Sequence, residues 1–264
     1  MPPNRSRPKY PRFVTVQSEP FDPLELAKET EKIVCRGDER KYADFYATSV
    51  YRGIATGYAV GCSLRCIFCW SDWSRDYPEK YGNFYSPEEA YRRLESAAQR
   101  SGVKKLRISG SEPTIGKGHL LSLLELVENS KFSPFILETN GILFGFDRKY
   151  VEKISKFKKP HIRVSLKAGT PEGLRKRTGA VESAFELPFN AITNLRDYGV
   201  SFHVAAMTDP RLMPMDERKR LIQKLRDIDV RLVRNLEEEV ADPYQTTLAR
   251  LEAASVQLKW ASTQ

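Results

Sequence analysis

The chain has 264 residues, 41% of them hydrophobic, and a formal net charge of +9. That is enough to bury one substantial core with short extensions, and no apolar run approaches the length of a membrane span. The amino-terminal stretch lacks the apolar run of a secretory signal, so the expectation is a cytoplasmic protein whose thiols stay reduced.

Residues 1–23 are proline-rich and basic, with Arg5, Arg7, Lys9 and Arg12, and read as a loosely held arm. Residues 24–33 form a short helix whose apolar side is Leu24, Leu26, Ala27 and Ile33. Residues 1–50 are therefore expected to be an arm with a helical extension, and Cys35 a structural thiol. Residues 51–60, rich in aromatic and small side chains, make a first strand. It delivers the next loop at its carboxyl end, where open α/β sheets and barrels place ligands.

That loop, Val60-Gly61-Cys62-Ser63-Leu64-Arg65-Cys66-Ile67-Phe68-Cys69-Trp70, holds three of the four cysteines. Thiolates are soft ligands for zinc or iron–sulfur iron, and crowding them in one loop brings several to one point. Three readings stand at this stage: a four-iron cluster with one iron left open, a zinc site completed by Cys35, or buried free thiols.

Ser86-Pro87-Glu88-Glu89 is a capped helix start, and the helix runs to Gly102. Strands at 103–108, 135–139, 162–166, 200–206 and 230–233 alternate with helices at 119–127, 148–157, 184–198 and 216–228, which implies parallel pairing with right-handed crossovers. Asp242-Pro243 begins a last helix carrying Leu248, Leu251, Ala254 and Leu258. The division expected is a core at 51–235 and a helical extension at 236–264. Two further basic groups lie at Lys153 to Arg163 and at Arg175-Lys176-Arg177; either they are solvated helix faces or they draw RNA or an acidic protein.

The cysteine spacing, three residues and then two, with Phe68 before the last cysteine, resembles the signature of the radical S-adenosylmethionine (SAM) superfamily. The resemblance implies a partial (βα)6 TIM-like barrel with parallel strands. It further implies a 4Fe-4S cluster on Cys62, Cys66 and Cys69 that cleaves SAM reductively to a 5′-deoxyadenosyl radical for hydrogen abstraction. Ser109-Gly110-Ser111-Glu112-Pro113 resembles the family's glycine-glycine-glutamate-proline motif at the methionine amino group, with Ser111 in place of the second glycine. Thr139-Asn140-Gly141 resembles the strand ending of the branch related to the molybdenum-cofactor cyclase, in which Ser165 and Arg177 match positions that hold the methionine carboxylate or ribose. Lys167 and His203 resemble cofactor contacts of the glycyl-radical-enzyme activases. No catalytic residue is assigned. The implied partners are a ferredoxin or flavodoxin electron donor and, as substrate, a protein glycine, a transfer RNA base, a peptide or a small molecule. The other class left open is a zinc-stabilised nucleic-acid-binding module using Cys35, Cys62, Cys66 and Cys69.

Overall fold

The computed structural model describes residues 10–260, so Arg5, Arg7 and Lys9 lie outside the described residues. From residue 10 the arm is held rather than loose. The hydroxyls of Tyr10 and Thr30 are 2.8 Å apart, Arg12 forks onto Glu79 at 2.9 and 3.0 Å, and Phe13 meets Trp73 and Tyr77 edge to face. The aromatic residues interleaved with the basic ones give this stretch a wall to pack on.

Asp22 caps α1 (Pro23–Val34), its carboxylate accepting from Leu24 N at 2.8 Å. Two strands follow, β1 (Cys35–Arg36) and β2 (Glu39–Thr48), paired antiparallel. They correct the expectation that only helix precedes residue 51. The charges of β2 concealed it: Arg40 and Lys41 are buried and donate to the carbonyls of Ile115 and Pro78, each at 2.9 Å, which breaks the alternation a half-buried strand shows. β2 pairs antiparallel with β3 (Ile54–Ala59) and with the short β4 (Asn83–Tyr85).

From β3 onward the sheet is parallel. β3, β5 (Leu106–Gly110), β6 (Phe135–Thr139), β7 (Pro160–Leu166), β8 (Ser201–Met207) and β9 (Glu237–Glu239) lie side by side in chain order. The crossovers are α2 (Pro87–Arg100), α3 (Lys117–Glu128), α4 (Ile142–Phe146) with α5 (Arg148–Ile154), α6 (Pro171–Thr178) with α7 (Leu187–Asp197), and α8 (Met215–Ile228) with α9 (Val230–Arg234); α10 (Gln245–Ala253) ends the described helices. This is a partial (βα)6 barrel. Ser86 caps α2 as its sequence predicts, accepting from Glu89 N at 3.2 Å.

Two expectations at the carboxyl end are corrected. Residues 230–233 are helix, because Asp229 accepts from Arg231 N at 2.8 Å and starts a turn. The sixth parallel strand is instead β9, whose three glutamates look solvated in sequence. They alternate: Arg163 bonds Glu237 and Glu239 on one face, while Arg218 takes Glu238 on the other at 2.8 and 2.6 Å. The last helix begins at Gln245 and ends at Ala253, short of Ala254 and Leu258, and Asp242 forms a turn with Tyr244 N instead of capping it.

The pleat gives the sheet two different faces. Leu137, Ile162, Val164, Leu166 and Val204 pack with Leu123, Ile192 and Leu195 in the main core. Arg107, Ser109, Glu138, Arg163, Ser165, Glu237 and Glu239 bond one another on the other face and line the barrel interior.

Candidate active site

Gly61 lets the cysteine loop leave β3. Its φ is +81°, and an added Cβ would lie 2.5 Å from Thr30 Cγ2, so a side chain here meets both backbone strain and a wall. The loop is then pinned by backbone bonds from Arg65 N and Ile67 N to the carbonyls of Thr178 and Arg177, at 3.0 and 2.9 Å. Cys62 and Cys66 are buried and Cys69 is half-buried. The Cys62 sulfur accepts from Leu64 N at 3.4 Å and lies 3.8 Å from Asn140 Nδ2, which also donates to Ser63 Oγ at 3.1 Å.

Burial pushes the Cys62 thiol up to about 12 and Cys66 up to about 11. Burial acts on Cys69 in the same sense, but Arg75 and Arg250 beside it, with hydrogen bonds from Ser71, hold it below the ordinary thiol range. Thiols held up in this way would release their protons to the medium on binding a metal centre and become thiolate ligands. Three cysteines on one loop, Cys62 and Cys66 buried and Cys69 half-buried, could supply the thiolate ligands of an iron–sulfur cluster.

The neighbouring loops close over the same rim. Gly110, at φ +94°, brings its backbone against Ala59, where a Cβ would sit 3.0 Å from the carbonyl oxygen; its own carbonyl accepts from Ser71 Oγ at 2.7 Å. Ser111 Oγ is buried without a hydrogen-bond partner, an orphaned polar atom in the stretch expected to meet SAM. Glu112 is 1% exposed, and its carboxylate accepts from Thr114 N, Thr114 Oγ1, Thr139 Oγ1 and Asn140 N at 3.2, 2.6, 2.7 and 2.8 Å. It ties the loop after β5 to the loop after β6. Asn140 in turn touches the cysteine loop, so Cys62, Ser109-Gly110-Ser111-Glu112, Thr139 and Asn140 form one contiguous rim.

Below the rim, Arg107 donates to Thr56 Oγ1 at 2.9 Å and Glu138 Oε1 at 3.0 Å, and the Ser109 hydroxyl also donates to Glu138. Arg163 forks onto Glu237 at 3.0 and 2.9 Å and reaches Glu239 at 2.7 Å. Ser165 donates to Glu239 at 2.7 Å, and Lys167 binds Ser165 while its ammonium lies 5.9 Å from the Phe68 ring. Ser165, Lys167 and Phe68 thus meet beside the cysteine loop.

Of two other expected residues, Arg177 sits beside the cysteine loop but turns its side chain to a different partner, and His203 lies at the other end of the barrel. Arg177 is buried on Glu217 of α8 and also donates to the carbonyls of Lys167 and Leu212 at 3.1 and 3.0 Å; it joins helices. His203 lines the opposite mouth of the barrel, a cavity of about 350 Å³ that also includes Pro134, Pro160, His161 and Ser201. There it stacks on His161, with ring nitrogens 2.7 Å apart, and meets Glu237 at 3.0 Å. The bonds to His203 and then Arg163 hold the Glu237 carboxyl down at about 2.

Cys35 packs near Ala27, Val34, Val60 and Ile115, apart from the other thiols. Among the described residues no three His, Cys, Asp or Glu side chains converge as a single ion needs, so the zinc reading finds no ligand set. Sequence reasoning passed over Arg250, Glu138, Glu237 and Glu239; a charge in the middle of a strand was the signal for Glu138, and the others gave none.

The family model of the radical SAM superfamily matches residues 58–225, and the chain belongs to that superfamily, whose enzymes bind a 4Fe-4S cluster and SAM. Among particular relatives, a probable GTP 3′,8-cyclase of Methanococcus vannielii is 31% identical over 118 residues, which is 45% of this chain and 37% of that protein. The chain spans about two fifths of the length of the curated relatives it matches. In fold it is similar to Streptococcus suis SuiB bound to precursor peptide SuiA, with a TM-score of 0.58 at 16% identity over 78% of this chain and 42% of that one. It is also similar to anSMEcpe with bound AdoMet, at 0.52 and 19% over 69% and 49%. No helix among the described residues is long and apolar enough to cross a membrane.

Proposed function

We propose that Cys62, Cys66 and Cys69 hold a 4Fe-4S cluster whose open iron takes the amino and carboxylate groups of SAM, and that this chain abstracts hydrogen from a substrate bound in the barrel interior. When bound, the pair supplies one-electron cleavage of SAM. The observation that carries the reading is that one rim holds the cysteine loop, with Cys62 and Cys66 buried and Cys69 half-buried, next to the orphaned Ser111 hydroxyl and Asn140.

The chain's own groups then have distinct tasks. Ser109, Gly110 and Ser111 offer backbone and hydroxyl groups to SAM from β5. Thr139 and Asn140 close the rim from β6, Phe68 and Lys167 close it from the side, and Glu112 holds the two loops in register. Ser165 acts through Lys167 and Glu239. The interior is charge-balanced, with Arg107, Arg163 and Lys167 against Glu138, Glu237 and Glu239. That lining suits a substrate rich in hydrogen-bonding groups, bound without a large net charge transfer. A low-potential ferredoxin or flavodoxin serves as donor, and the substrate is a small molecule, a peptide, a protein or a transfer RNA.

The test is anaerobic incubation of the iron-loaded protein with SAM and dithionite in deuterated and protonated cell extract. The reading expects 5′-deoxyadenosine that acquires deuterium from one extract component, and no such product from Cys66→Ser. Equal 5′-deoxyadenosine from the variant would contradict it.

A further inference from the structure

Each cysteine of the loop has its own arginine. Arg65 Nη1 donates to the carbonyl of Cys62 at 2.8 Å, Arg75 Nη1 to that of Cys66 at 2.6 Å, and Arg250 Nη1 to that of Cys69 at 2.6 Å. All three side chains are buried, at 0%, 1% and 1% exposure. Arg250 comes from α10, outside the residues the family model matches, and Thr247 of the same helix donates to Cys69 O at 3.1 Å. Arg250 Nη1 also donates to Ser71 O at 2.6 Å, and Nη2 donates to Asp72 O at 2.8 Å.

One buried carboxylate serves this set. Asp76 takes Arg75 Nε on one oxygen at 3.0 Å and Arg250 Nε on the other at 3.2 Å. Arg65 has only carbonyl acceptors and the ring of Tyr10, with Nη2 unpartnered. Glu112, the other buried acid at the rim, lies beside Arg40, which donates to its carbonyl at 3.4 Å. Asp76 is therefore shared by Arg75 and Arg250 while Arg65 bonds no carboxylate, so the three guanidinium charges exceed the one carboxylate bonded to them by two among the described residues. Arrangements of that kind are costly unless an anion completes them.

We propose that Arg65, Arg75 and Arg250 are the counter-charge of the reduced cluster and favour its one-electron reduction. This rests on the reading of the three cysteines as cluster ligands. A cube in its resting state with three thiolates has a net charge of minus one. One electron from the donor makes it minus two with no proton moved, which matches the two unbalanced guanidinium charges. Net charge and hydrogen bonding around a cluster are the levers that set its potential. Arg250 is a positioning residue, since it acts through the carbonyl of Cys69 and through Asp76.

The test compares wild type, Arg250→Gln, Arg250→Lys and Asp76→Asn after anaerobic reconstitution. Iron and sulfide are counted, and the reduced fraction is followed by electron paramagnetic resonance during a dithionite titration. Loss of the charge in Arg250→Gln lowers the reduced-to-oxidised ratio at a fixed poise about tenfold, about 59 mV for one electron. Arg250→Lys stays near wild type, and Asp76→Asn moves the ratio the other way. A wild-type ratio in a fully iron-loaded Arg250→Gln overturns the proposal. If that variant holds no iron while Arg250→Lys does, the cation is confirmed as the requirement, since both lose the fork of bonds. Iron loss in both variants assigns Arg250 a geometric role and overturns the charge claim. A wild type without any cluster would refute the ligand assignment itself.

Discussion

The four cysteines differ in their surroundings more than in their chemistry. Cys62, Cys66 and Cys69 share a buried loop at a strand end, whereas Cys35 lies in a separate apolar cluster. Replacing any of the first three with serine should abolish cluster assembly, and Cys35→Ala should retain full iron, as read by iron and sulfide analysis. Glu112 makes a second residue-scale case. Its carboxylate accepts four bonds from Thr114, Thr139 and Asn140, so Glu112→Ala leaves buried donors unpaired. The expected loss is about 3 kcal/mol in urea unfolding, with weaker SAM binding at unchanged iron content. An unaltered midpoint would show that the rim does not depend on it. The cysteine spacing and the glutamate were legible because their information is local. The use of Glu112 as a tie between loops was not, since Thr139 lies 27 residues away.

Among elements, the longer helices and four inner strands are legible from periodicity, whereas the short α4 and α6 are not and α9 reads as a strand; β2 and β9 are hidden because charged side chains turned inward conceal the pattern. Glu237 and Glu239 become intelligible only with Arg163, 74 and 76 residues distant. Arg177, expected at the cofactor, accepts at its carbonyl from Ile67 N of the cysteine loop and joins α6 to α8 through Glu217. Arg177→Met should cost about 3–5 kcal/mol, because it strands a buried carboxylate, and should leave the cysteine loop's iron reducible; urea unfolding and iron analysis read the two effects. α3 supplies a pH dependence. His119 is buried between Tyr42 Oη at 2.9 Å and the carbonyl of Asp38 at 2.8 Å, with Arg40 and Glu88 as the nearby charges, and burial holds its pKa down at about 4. Between about pH 6.5 and about pH 4 the unfolded chain binds a proton that the folded chain refuses. Stability from this group is complete above about pH 6.5 and falls by roughly 3 kcal/mol as the pH drops to about 4. His119→Gln should flatten that part of the urea-midpoint profile, and a profile as steep as wild type would remove His119 as its cause.

At the scale of the molecule, both ends of the described chain converge on the outside of the cysteine loop. Residues 10–13 meet Arg65, Asp76 and Glu79, and α10 places Arg250 on Cys69, Ser71 and Asp72. The sequence marked these segments as extensions to a barrel, and nothing local could reveal that Arg250 reaches Asp76 across 174 residues. The barrel places the loop at the carboxyl mouth of β3, and the ends fix it there from behind. The most direct test of the account is the electron paramagnetic resonance spectrum of the reduced, iron-loaded protein recorded with and without SAM. Three-cysteine ligation with an open iron predicts a single four-iron signal, present in Cys35→Ala, whose g values change when SAM is added. A signal indifferent to SAM, or one lost with Cys35, would contradict it.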